Sequence, residues 1–148
     1  MFKSAVGAVL GSALALAGCQ PQTLTEADVA RFEAQLVLPE GAEPLSSYAR
    51  YYAPPRVHTE DSLPFTSMAP LPGWREPRSE PVVVGVLAQP GVWGDHPPGA
   101  HIVRERELPN AVHGGCRSVN VVFEPRSGRT LGVWCNIDET TARPDPEN

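Results

Sequence analysis

A chain of 148 residues with a formal charge of −5 has room for one modest domain and not comfortably for two. The acidic balance argues against nucleic acid as a partner and against electrostatic adhesion to anionic lipid headgroups. Glycine and proline (13 and 17 residues) make up about a fifth of the chain, short of a wholly disordered composition, and their clustering predicts long loops between ordered elements.

Lys3 precedes an apolar run over about 5–16, the layout of a secretory signal. The run is shorter than the roughly 20 apolar residues of a spanning helix, and Gly7 and Gly11 interrupt it. Its end, Leu16-Ala17-Gly18-Cys19, resembles the lipobox of bacterial lipoproteins. Small Ala17 and Gly18 open the backbone to a peptidase, and Cys19 is the only nucleophile at the site. The resemblance implies removal of residues 1–18, a diacylglyceryl group on the Cys19 sulfur, and a membrane held through that lipid. The alternative is an ordinary signal cut after Ala15 or Ala17, with Cys19 left as a free thiol. Gln20 stands where an Asp often retains lipoproteins in the inner membrane, so the expected address is the outer membrane, facing the periplasm. Loss of Lys3, the one lysine, takes the charge to −6.

Three cysteines are an awkward odd number for an exported chain. With Cys19 lipidated, Cys116 and Cys135 remain, and an oxidising envelope predicts a disulfide between them.

"TLTEADVARFEAQL" predicts a helix. Thr25 is the N-cap, Asp28 completes a capping box, Leu24 and Val29 form a staple, and Val29, Phe32 and Leu36 make one apolar stripe. Residues 44–53 fit either a helical face or a strand, with the tyrosines favouring strand. Residues 54–81 carry seven prolines around Phe65, Met68 and Trp74, an irregular insertion longer than compact domains usually hold. "PVVVGVLA" is a continuous apolar run, expected as a central strand buried on both faces. In "AHIVRERELP" Arg104 and Arg106 alternate with Glu105 and Glu107, which suits an edge strand. Two last strands are expected around a three-residue loop, Arg126-Ser127-Gly128, setting Val119, Val121 and Phe123 opposite Cys135, Val133 and Leu131. In that register a regular strand through Cys116 points it away from Cys135. Gly114-Gly115 lets the chain fold Cys116 back, so Cys116 is expected at or before the strand's start.

The predicted class is α+β: one N-terminal helix packed on an antiparallel sheet of four or five strands, with the Pro-rich insertion. The domain spans 19–137, and a charged tail over 138–148 reads as disordered. "GGC", "VNVVFEP" and "VWCN" resemble stretches of small uncharacterised exported proteins of Gram-negative bacteria, a likeness that carries no function with it.

His113 and Cys116 stand three apart, the residue types of a nucleophile and its base, but the disulfide competes for the sulfur. His96 and His101, with Asp95, lack a recognised ligand spacing, so no metal or other cofactor is expected. Phe65, Met68 and Trp74 are candidate contacts for an envelope partner, or pins that hold the insertion onto its own core. No catalytic residue is assigned. The sequence therefore points to a non-catalytic envelope lipoprotein that binds a partner or has a structural role. The alternatives are an inhibitor of a secreted or periplasmic enzyme and a thiol- or metal-dependent hydrolase.

Overall fold

Thr25 starts the first element as its pattern predicts. Its hydroxyl accepts from the Asp28 amide at 3.2 Å, and Asp28 Oδ2 accepts from the Thr25 amide at 3.0 Å. Two orphan N–H groups are thereby satisfied, and helix α1 runs Glu26–Glu33. In this computed structural model the described residues are 23–64, 71, 74, 78–92, 94–110 and 113–138. Residues 1–18, read above as a signal, Cys19, Phe65, Met68 and the tail beyond Asp138 lie outside them.

Five strands follow: β1 Ala49–Tyr52, β2 Val83–Ala88, β3 Gly99–Ile102, β4 Ser118–Phe123 and β5 Thr130–Cys135. They form one sheet in the order β3-β1-β2-β4-β5. The fold is α+β, a helix on a five-stranded sheet. Three pairings are antiparallel, and β1 pairs with β3 in parallel, which makes the sheet mixed. In the ambiguous 44–53 stretch, Leu45–Ser47 is a single 3-10 turn and the tyrosine-rich half is the strand. All six residues of β2 are buried, as expected of a central apolar run.

Two local expectations are corrected. Arg104–Glu107 is not a strand: β3 ends at Ile102, and Glu105–Glu107 forms a 3-10 turn. Glu107 Oε2 accepts from the Arg104 amide at 2.9 Å and Oε1 accepts from its Nε at 2.9 Å, so a bond three residues back wins over alternation. In the last hairpin, Val119 and Val121 do face Cys135 and Val133. An irregularity at Val122/Phe123 sets Phe123 opposite Thr130 in place of Leu131. The connecting loop is also one residue longer than the expected Arg126-Ser127-Gly128: the Glu124 amide donates to the Arg129 carbonyl at 3.0 Å, Pro125 joins the loop, and Gly128 takes a positive φ of 71°.

The sheet is covered on both faces. On one, Leu24, Val29 and Phe32 pack with Tyr52, Val83, Leu87, Val119, Val121 and Phe123. Phe32 lies parallel to Phe123, ring centroids 3.8 Å apart, and both are fully buried. Glu33 ties the same helix to the sheet, accepting from Arg50 Nε and from the Tyr52 hydroxyl, each at 2.8 Å. Burial, followed by the Glu33 charge, drives the Tyr52 phenol well above its usual range. On the other face Leu63, Leu71 and Trp74 cover Val82, Val84, Val122 and Leu131. The described part of the Pro-rich insertion is therefore a covering layer of the core.

Candidate functional site

The second face of the sheet changes character along its strands. A row runs across it through His101, Tyr51, Val86, Asn120 and Trp134, each paired with the next. On one side of the row stands the apolar cluster beneath Leu63, Leu71 and Trp74. On the other lie buried Ser118 and a bond from Asn120 Nδ2 to Asn136 Oδ1 at 2.6 Å.

Over Val86, itself only 2% exposed, a cleft of about 310 Å³ opens. Arg56, Pro64, Glu105, Arg106, Leu108, Pro109 and Asn110 complete its lining. The backbone places these groups from two sides. Arg56 exchanges both backbone hydrogen bonds with Val82, at 3.0 and 2.8 Å, which extends the pairing beside β2. The 3-10 turn aims Glu105 inward, and the Leu108 amide closes that turn on the Glu105 carbonyl at 3.1 Å.

Glu105 Oε2 accepts from Arg56 Nη1 at 3.3 Å and faces His58 Nε2 at 3.5 Å. His58 is 6% exposed, and its Nδ1 lies 3.3 Å from the Ser62 carbonyl. The ring thus stands between two acceptors, the Ser62 carbonyl at one nitrogen and the Glu105 carboxylate at the other. Its Nε2 has no hydrogen-bond partner. The exposed Arg106 makes no ion pair among the described residues, although its charge is felt by Glu107 beside it. The cleft therefore offers guanidinium donors and a carboxylate acceptor above an apolar floor. Such groups hold and orient a small polar ligand.

The residues singled out from the sequence fall elsewhere. Trp74, offered above as a partner contact or a pin on the domain's own core, is the pin: it is 9% exposed and packs on that core, with the Arg78 guanidinium 5.2 Å from its ring centroid. Cys116 and Cys135 are joined, with an S–S distance of 1.98 Å and Cα atoms 4.5 Å apart. Cys116 stands in a 3-10 turn, Gly115–Arg117, before β4, and Gly114 and Gly115 take φ of 106° and 54° to place it there. Its sulfur is thus unavailable for the thiol chemistry that His113 could assist. His113 instead pairs with Ile137 and accepts from Asn136 Nδ2 on its carbonyl at 3.1 Å.

His96 and His101 do come together, both against the Tyr51 ring, at 5.5 and 5.2 Å between centroids. Each Nε2 donates to a carbonyl four residues earlier, Val92 at 2.7 Å and Pro97 at 2.9 Å, and the Tyr51 hydroxyl donates to His96 Nδ1 at 3.0 Å. Asp95 is exposed. Among the described residues no three His, Cys, Asp or Glu side chains converge as a metal site, and no helix is long and apolar enough to cross a membrane.

Sequence reasoning missed the cleft. Its ionic members come from segments nearly 50 residues apart, and the Arg-Glu alternation concealed the turn that brings Glu105 inward. Comparison with protein-family models, curated proteins and solved structures finds no match to this chain.

Proposed function

We propose that the chain is a non-catalytic lipoprotein of the cell envelope, anchored through Cys19 in the outer membrane and facing the periplasm, with the folded domain serving as a binding module. The observation that carries the reading is the cysteine pairing. Of the three cysteines, the one outside the disulfide is the one in the lipobox-like Leu16-Ala17-Gly18-Cys19. A structural disulfide suits an oxidising compartment, and acylation there accounts for the third thiol. With the Cys116 sulfur in that bond, the thiol-hydrolase reading loses its nucleophile. Lipid chains on Cys19 would supply the two or more anchoring signals that stable attachment needs.

Metabolic labelling with an alkyne palmitate analogue tests the anchor. The full chain should label and sediment with membranes, whereas Cys19→Ser should do neither. An unlabelled protein whose mature N-terminus follows residue 15 or 17 would overturn the anchor.

A further inference from the structure

We infer that the cleft over Val86 binds a small carboxylate carried on a short apolar stem, an inference that takes its biological relevance from the binding-module reading. Two guanidiniums, Arg56 and Arg106, line the cleft with one carboxylate, Glu105. The Arg56–Glu105 pair is long, at 3.3 Å, and Arg106 makes no ion pair among the described residues. The lining therefore carries a local excess of positive charge in a chain whose overall charge is −5. A planar guanidinium matches a carboxylate with two parallel N–H donors, which a neutral or cationic ligand cannot exploit.

The rest of the lining selects the stem. Val86, Leu108, Pro64 and Pro109 offer apolar contact, and a volume of about 310 Å³ lies at the small end of ligand pockets, so the ligand has few heavy atoms. His58, buried behind Glu105 with Nε2 3.5 Å from Oε2, backs that carboxylate at the cleft wall. The Asn110 amide remains at the rim as a further donor.

The test is a titration of the ¹⁵N-labelled full chain, disulfide intact, followed by amide chemical shifts. The probes are 4-methylpentanoate, its primary amide 4-methylpentanamide, and 3-methylbutylamine. The carboxylate should give saturable shifts at Val86, Leu108 and Asn110, and should bind at least about tenfold more tightly than the amide or the amine. Arg106→Gln should weaken the carboxylate about tenfold and leave the amide unchanged, while Arg117→Gln, outside the cleft, should alter neither. Equal affinity for carboxylate and amide, tighter binding of the amine, or indifference to Arg106→Gln would each overturn the proposal. N-acetylalanylleucine distinguishes the source of the carboxylate: tighter binding than 4-methylpentanoate assigns a peptide C-terminus, weaker binding a free acid. Failure of Cys19 labelling would remove the anchor and leave this titration intact.

Discussion

Glu124 joins three parts of the chain through one carboxylate. It accepts from Arg129 Nη2 at 2.7 Å and from Arg78 Nη2 at 3.0 Å, and the Arg78 side chain is buried against Trp74. The Arg129 hydrogen bond, reinforced by the one from Arg78 and opposed by burial, holds the carboxyl at about 2, below its ordinary 4.5. A carboxylate depressed in the folded state contributes stability above its unfolded pKa, and that contribution disappears as pH falls from about 4.5 toward 2. After allowance for solvent screening it amounts to about 1 kcal/mol. Glu124→Gln should therefore lower the urea midpoint at pH 7 and show a shallower loss in acid. Glu107, held at about 2 by hydrogen bonds from Arg104, titrates in the same window but is exposed, so its share is small. Midpoints of the Glu124 variant and the parent that fall in parallel between pH 5 and 2.5 would refute this assignment.

Between elements, the insertion and the sheet meet where a strand lacks a side chain. A Cβ on Gly132 would collide with the Leu71 side chain and stand 3.0 Å from Trp134 Cζ3. Gly132→Ala should thus lift Leu71 off β5, at a cost of about 1–3 kcal/mol, and hasten proteolytic cleavage within 54–81. Leu71→Ala combined with Gly132→Ala should cost less than the two single effects added together, because the clash needs both partners. Full additivity in urea unfolding would show that the seat is not where the strain arises.

The same contrast explains how much was legible beforehand. The helix start was readable because Thr25 and Asp28 complete their bonds within three residues, and β2 because an unbroken apolar run suits a strand covered on both faces. The Cys116 placement was readable because paired glycines are the residues that permit such a fold-back. For Trp74 the sequence left partner contact and core pin both open, and Leu71 carried no mark at all, since an aromatic or leucine among prolines looks alike whether it turns inward or outward. The parallel β1–β3 pairing depends on a distant segment, with Ala49 beside Gly99, and leaves no local mark. The cleft depends on the same kind of distant meeting.

For the molecule as a whole, the Cys116–Cys135 bond closes a ring between residues 19 apart and pins the turn before β4 to the end of β5. Constraint of the unfolded chain by a loop of this size is worth about 3 kcal/mol. Cys116→Ala with Cys135→Ala should lower unfolding free energy by roughly that amount. Alkylation of the unreduced, denatured protein should label neither cysteine. Stoichiometric labelling of both would refute the bond and return Cys116 to His113 as a possible nucleophile.

The stack of Phe32 on Phe123 also sets an order of events. A chain is delivered N-terminus first, whether it emerges from a ribosome or is threaded through a translocation channel. Helix α1 arrives early, but the platform of Tyr52 and Phe123 that holds Phe32 is complete only when residue 123 has followed. An isolated helix of eight residues is marginal in water. The N-terminal helix therefore gains its full tertiary support only after most of the chain has been delivered. The arriving β4–β5 hairpin completes the sheet face that carries the helix, adding Val119, Val121 and Phe123 to Tyr52, Val83 and Leu87.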